Sequence, residues 1–271
     1  MSLLKDITLG QYFPGNSLVH RLDPRTKLII LIVYIVALFC AVSWISYAVV
    51  FVFLAAAIAI SKIPVKSIVR GMKPLILILV FTGILNLFFI VGEGEPLVDF
   101  WIITVYTEGI VRALFMVVRI LMLISGTFLL TYTTSPISLT DGLESLLNPL
   151  KAIKLPVHEL AMMMCIALRF IPTLIEETDK IMSAQKARGA DFENGSLLQR
   201  VKALVPILVP LFISAFRRAD ELATAMECRC YQGGEGRTKM KLLRFTYHDF
   251  VTMVIGAGLV AVILVLANFG L

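Results

Sequence analysis

Residues 28–61 read LIILIVYIVALFCAVSWISYAVVFVFLAAAIAIS, 34 residues without a charge, closed by Lys27 on one side and Lys62 on the other. A helix crossing a hydrocarbon core of about 30 Å needs about 20 residues. The run is too long for one ordinary span, so it reads as a helical hairpin turning near Ala41-Val-Ser-Trp-Ile-Ser46. The composition of the whole chain agrees with a membrane solvent. Of 271 residues, 58% are hydrophobic and 16% charged, with a mean hydropathy of +0.88, against roughly 45–50% apolar and about 25% charged in soluble proteins.

Further spans follow from the remaining uncharged runs. Pro74 to Gly92 is a third, of 19 residues; a fourth lies between Glu108 and Thr134, and a fifth runs from Phe250 to Leu271. The loops set the orientation. Segment 61–73 (SKIPVKSIVRGMK) holds four basic and no acidic residues, whereas 91–109 holds Glu93, Glu95, Asp99 and Glu108 and no basic one. By the positive-inside rule the first faces the cytoplasm and the second the outside. Counting spans then predicts the N-terminus inside, 135–249 inside and the C-terminus outside. Met1 to Gly15 carries Lys5 and Asp6 and lacks an apolar core of signal-peptide length, so no cleaved leader is expected. The formal charge of +6 is mostly this topology signal, with no basic stripe for nucleic acid.

The expected architecture is therefore an all-α integral membrane protein of about five transmembrane helices with a cytoplasmic domain of about three. Its organisation is 1–27 as an N-terminal cytoplasmic segment, 28–134 as spans one to four, 135–249 as the cytoplasmic domain, and 250–271 as span five. Residues 133–249 carry 15 Lys+Arg and 13 Asp+Glu, a near balance unlike the spans. From Val157, apolar residues recur at Leu160, Ala161, Met164, Ala167, Leu168 and Ile171, the three-four spacing of an amphipathic helix. Arg169, Glu176, Glu177, Asp179 and Lys180 interrupt it too often for a span. It stops at Gly189, the residue preferred just past a helix end. A second long helix is expected after Ser196-Leu-Leu-Gln199, a capping box. Its uncharged stretch, Ala203 to Phe216, has 14 residues and two prolines, short for a span. A shorter helix, Ser138 to Leu147, precedes both, and Pro172, Pro206 and Pro210 are expected to bend the long ones. No sheet is expected.

Both long helices finish on an arginine among small residues: Ala187, Arg188 and Gly189 in the first, Cys228, Arg229 and Cys230 in the second. An arginine in a last turn interacts with the helix dipole for about 0.3–1 kcal/mol, which accounts for either one alone. Read as a pair, each guanidinium stands clear of its neighbours. A planar five-donor fork presented that way suits a carboxylate on another chain.

Longer stretches carry a family resemblance. Tyr12-Phe-Pro-Gly-Asn-Ser17 and His20-Arg-Leu-Asp-Pro-Arg-Thr-Lys27 resemble the opening of the transmembrane T component (EcfT) of energy-coupling factor (ECF) transporters. The resemblance continues through Thr133-Thr-Ser-Pro136, Leu168-Arg-Phe-Ile-Pro172, Ala184-Gln-Lys-Ala-Arg-Gly189, Arg217-Arg-Ala219 and Ala225-Met-Glu. It implies a scaffold and coupling subunit of an ATP-driven importer of vitamins or other micronutrients in a prokaryotic cell membrane. In such a complex two Ala-Arg-Gly-like motifs end cytoplasmic coupling helices and dock into two cytosolic ABC-type ATPases, beside a membrane-embedded substrate-binding S component. Residues 187–189 match that motif. Residues 228–230 depart from it at both flanks but keep the arginine between small residues. Which vitamin is carried belongs to the S component.

Other candidates are weaker. Arg112 and Arg119 lie seven residues apart on one face of the fourth span, and an intramembrane charge is a functional-site hypothesis. Snorkelling of Arg112 and a structural pairing of Arg119 with a carbonyl or carboxylate explain them as well. Gly233-Gly-Glu-Gly-Arg-Thr238 is the nearest approach to a phosphate-binding loop and lacks its lysine and its strand. The chain is therefore expected to be non-catalytic, with ATP and Mg bound by the partner ATPases and no cofactor of its own. Cys40, Cys165, Cys228 and Cys230 lack zinc-site spacing, and His20, His158 and His248 are isolated in sequence. The alternatives are a membrane enzyme gripping anionic lipids through Arg112 and Arg119, which would need an acid or nucleophile that is not found, and a secondary transporter, against which the absence of an inverted repeat speaks.

Overall fold

The structure, a computed structural model, describes residues 12–89, 98–100, 103–105, 107–190, 192, 197–234 and 242–269. They form two compact units. Among the described residues, those up to Leu143 together with those from Leu243 make one, and those from Glu144 to Leu242 make the other.

In the first unit, α1 (Leu18–Arg21) leads into α2 (Pro24–Cys40) and α3 (Trp44–Ser61). Asp23 caps α2, accepting from the Arg25 N–H at 2.9 Å, and Pro24 takes the first helical position, where its missing N–H is harmless. The expected hairpin turn falls at Ala41 to Ser43, and the Ser43 hydroxyl caps α3 by accepting from the Ser46 N–H. Then come α4 (Val65–Met72), a 3-10 turn at Lys73–Leu75, and α5 (Ile76–Phe89). The expected third span continues to Gly92, beyond the described residues. A two-stranded antiparallel hairpin, β1 (Val98–Phe100) and β2 (Ile103–Val105), precedes α6 (Thr107–Thr133). It departs from the expectation of no sheet, because three-residue strands are shorter than the four-to-eight-residue runs that betray strands in a sequence. The unit is completed by α7 (Pro136–Leu147), which reaches into the second unit by its last residues, and by α10 (Tyr247–Asn268).

The core of this unit lies where α2, α3, α6 and α10 meet, around Tyr34, Leu38, Val50, Met122, Leu259 and Ile263. Small residues let the helices approach. A Cβ at Gly126 would lie 2.6 Å from the Tyr34 ring, and one at Gly256 would lie 2.7 Å from Ile30 Cδ1. The Tyr34 hydroxyl, carried into this apolar core, donates to the Met122 carbonyl at 2.9 Å.

In the second unit, α7 is followed by a 3-10 turn at Asn148–Ile153 and by two 31-residue helices, α8 (Val157–Ala187) and α9 (Leu197–Glu227). Their ends match the periodicity, although Ser196 of the expected capping box lies outside the described residues.

Among the described residues five helical segments are long and apolar enough to cross a membrane: Trp44–Ser61, Val65–Leu87, Gly109–Thr133, Val157–Ala187 and Tyr247–Asn268. Four of the five expected spans are among them, and α8 is the fifth. The 17 residues of α2 rise about 26 Å, the short end of the range for a membrane helix. Conversely, α8 contains a stretch of mean hydropathy 1.4, contrary to the expectation that its charges exclude a span. The charges are unevenly placed: Glu176, Glu177, Asp179, Lys180 and Lys186 all follow Leu174, while the first half holds only Glu159 and Arg169.

Candidate functional site: two arginine-tipped helix ends

The two arginines occupy equivalent backbone positions. At the end of α8 the Gly189 N–H donates to the Lys186 carbonyl at 3.0 Å and the Ala190 N–H to the Gln185 carbonyl at 3.0 Å. At the end of α9 the Cys230 N–H donates to the Glu227 carbonyl at 2.8 Å and the Tyr231 N–H to the Met226 carbonyl at 3.1 Å. Each pair of bonds surrounds a left-handed residue, Gly189 at φ +88° and Cys230 at φ +56°. This is the Schellman helix ending, built twice, with the arginine in each case just before the left-handed residue. A glycine is suited to that conformation because it has no Cβ to clash. Space does not demand it, since a Cβ at Gly189 would meet nothing within 4 Å.

The side chains around these ends are open to solvent: Ala187, Arg188, Gly189, Cys228, Arg229 and Cys230 are all exposed. Among the described residues neither guanidinium makes a hydrogen bond or ion pair. The helix ends are already satisfied by backbone bonds, so ten N–H donors, five on each fork, remain for other chemistry.

Contacts between the helices place the arginines apart. Glu177 of α8 pairs with Arg218 of α9. Further along, the Gln185 side-chain amide donates to the Pro206 carbonyl at 3.4 Å. That carbonyl is orphaned because Pro210, four residues on, has no N–H to give it. In these pairs the residue number rises in α8 as it falls in α9, so the helices run antiparallel. Arg188 is three residues beyond Gln185, whereas Arg229 lies 23 residues beyond Pro206. At 1.5 Å per residue the tips stand roughly 35–40 Å apart, at opposite ends of the pair.

The other candidate pair behaves differently. Arg119 donates through Nε to the Tyr47 hydroxyl at 2.7 Å and through a terminal nitrogen to the Ala41 carbonyl at 3.2 Å. Its guanidinium also lies 5.6 Å from the Phe39 ring centre and 5.7 Å from that of Tyr47. It therefore closes the C-terminal end of α2, the structural pairing with a carbonyl that sequence offered as one option. Arg112 lines the same recess of about 480 Å³.

Two polar arrangements were not foreseen. Asp249, fully buried, accepts from the Thr246 N–H and the Asp23 N–H, both at 2.8 Å. Lys27 donates to the carbonyls of His20 and Thr133 and to the Thr134 hydroxyl. Together they tie the start of α2 to the end of α6 and the start of α10. This explains what Asp23 and Lys27 do in the N-terminal stretch. The other is in the second unit, where His158 Nδ1 lies 3.0 Å from Glu144 Oε1. No sequence signal joins residues 14 or 226 positions apart; the Thr246–Asp249 capping box is the one local pattern that could have marked Asp249.

Comparison with known proteins gives one answer. The family described as CbiQ, cobalt transport protein, matches residues 15–240. The energy-coupling factor transporter transmembrane protein EcfT of Clostridium kluyveri is 55% identical over 260 residues, 96% of each chain. Those of Thermosediminibacter oceani and Bacillus subtilis are 54% and 50% identical, covering 98% and 95% of this chain and 99% and 98% of theirs. Near-full coverage at such identity, on a helical fold with membrane-spanning segments, establishes that this chain belongs to the EcfT family of energy-coupling factor transporter transmembrane proteins.

Proposed function

We propose that the chain is the non-catalytic coupling subunit of an ATP-driven importer in a prokaryotic cytoplasmic membrane. Arg188 and Arg229 each dock a cytosolic ABC-type ATPase, and α8 and α9 pass the ATPase motion to a membrane-embedded S component that carries a vitamin or other micronutrient. ATP and Mg are bound by the ATPases. The N-terminus and residues 135–249 face the cytoplasm and the C-terminus faces outward.

The observation that carries this reading is the duplication of one helix ending, with an exposed and uncommitted arginine at each end of an antiparallel pair. Two ATPases that close and open need two separate anchors on one lever, and a tip separation of roughly 35–40 Å supplies them. A guanidinium fork is suited to a carboxylate in a groove of each partner. The apolar side chains of the same helices support the second half of the reading. Leu208, Phe212 and Phe216 of α9 and Leu160, Met163 and Met164 of α8 are exposed, and Phe216 is 69% so. Such a surface calls for a hydrophobic partner or lipid, and methionine adapts to several partners.

The test is the Arg188→Glu, Arg229→Glu double variant, which sets like charges against the proposed carboxylates at both sites. Pull-down should recover no ATPase, and uptake should vanish. Normal assembly and uptake would reduce both arginines to helix-end residues and end this reading.

A further inference from the structure

The chain does not leave the second arginine on a loose end. After Arg229, the residues Tyr231 to Gly234 fold back onto the first turn of α8. A Cβ on Gly234 would lie 2.6 Å from His158 Cδ2, 3.0 Å from Cγ and 3.2 Å from its Cβ. The Gly234 backbone therefore lies directly on the imidazole, at a distance that no other residue type allows. Gly233, just before it, has φ +92°, which turns the chain toward the ring. The ring is itself fixed, because Nδ1 faces Glu144 Oε1 at 3.0 Å across to α7. Its other nitrogen, Nε2, is buried and bonds no described residue. With Nδ1 toward the carboxylate, the ring presents its carbon edge to Gly234.

We propose that His158, oriented by Glu144, is a positioning residue that seats the Tyr231–Gly234 segment and so fixes the Arg229 tip to the start of α8. It touches neither ATP nor an ATPase. The consequence is mechanical. α8 carries Arg188 at its far end and, through His158, a reference point for Arg229 at its near end. One helix then relates both anchors to each other, and displacement at one tip cannot be absorbed by a floating segment at the other. Only the functional consequence rests on the coupling reading; the seating itself is a property of Glu144, His158 and Gly234.

The test separates the two. In the full chain with Cys40, Cys165 and Cys228 changed to serine and Leu160, exposed on α8, changed to cysteine, spin labels at positions 160 and 230 report where the tip stands. The distance distribution should be narrow in this background. It should broaden in Gly234→Ala, whose methyl cannot fit beside the ring, and in His158→Ala, which removes the seat. The double variant His158→Ala, Gly234→Ala should match His158→Ala, because the vacated ring makes room for the methyl. Uptake per assembled complex, measured in the native cysteine background with the ATPases and S component present, should fall at least fivefold in His158→Ala and in Gly234→Ala, with no further fall in the double variant. If Gly234→Ala does not insert, His158→Ala decides. An unchanged distance distribution in His158→Ala overturns the seating whatever the uptake. Broadening with parental uptake would keep the seating and sink the role of Arg229 in coupling.

Discussion

Charges in the first unit and charges at the tips of the second are treated in opposite ways. Lys27, Asp249 and Arg119 are given partners within their own unit, mostly backbone groups that would otherwise be orphaned at helix ends. Arg188 and Arg229 sit on helix ends whose backbone bonds are already complete, and their forks bond no described residue. An apolar solvent explains the first pattern, since an unsatisfied polar group there costs several kcal/mol. In the second, charge is held out where it contributes little to folding, the arrangement expected of a surface kept for another chain.

The largest effect that tests this contrast is Asp249→Ala. It removes a buried acceptor of two backbone N–H groups on different elements. With hydrogen bonds to a charged group worth about 1.5–3 kcal/mol each, the loss is on the order of 3 kcal/mol or more. The variant should accumulate poorly in membranes and unfold at a clearly lower temperature in detergent. Arg229→Ala should leave the same unfolding temperature within about 1 °C, as an exposed substitution alters stability by less than about 0.5 kcal/mol. Equal destabilisation by the two would erase the distinction.

Next in size are the single tip variants. Arg188→Ala or Arg229→Ala should each weaken its own ATPase contact by about 1.5–3 kcal/mol. The surviving anchor keeps the vacant site at high effective concentration, so pull-down should still recover ATPase while uptake falls strongly. Lysine at either tip keeps charge and loses the fork, and uptake between those of arginine and alanine is expected. A single alanine variant that transports at the parental rate would remove that tip from the docking.

How much of this was readable beforehand follows the range of each interaction. The ends of α8 and α9 were legible because periodicity and helix stops are local, and the α2–α3 hairpin because one long apolar run between two lysines has few solutions. The hydropathy of α8 was underrated because charges were weighed over the whole helix, when their crowding after Leu174 leaves the first half apolar. The Asp23–Asp249 bond and the His158–Gly234 contact were illegible since they join residues 226 and 76 positions apart. The equivalence of the two tips was half legible. The arginines stood out, but a cysteine in the left-handed position was hidden, because that place in a sequence is usually marked by glycine.

The smallest expected effect turns on that cysteine and compares the two ends at a single atom. A non-glycine residue in the left-handed region is strained by roughly 1 kcal/mol, and glycine relieves this while losing more backbone entropy on folding. Cys230→Gly should therefore stabilise the end of α9 by no more than about 0.5–1 kcal/mol, and Gly189→Ala should destabilise the end of α8 by a similar amount. The signs are opposite because the two ends have the same geometry with different residues in it. Hydrogen exchange of the last turn amides reads each end separately: protection should rise at Cys228 to Tyr231 in the first variant and fall at Arg188 to Ala190 in the second. Docking should follow in the same directions, since an arginine on a firmer helix end loses less freedom when bound. If both substitutions shift protection the same way, the two endings are not one motif used twice, and Arg188 and Arg229 need separate explanations.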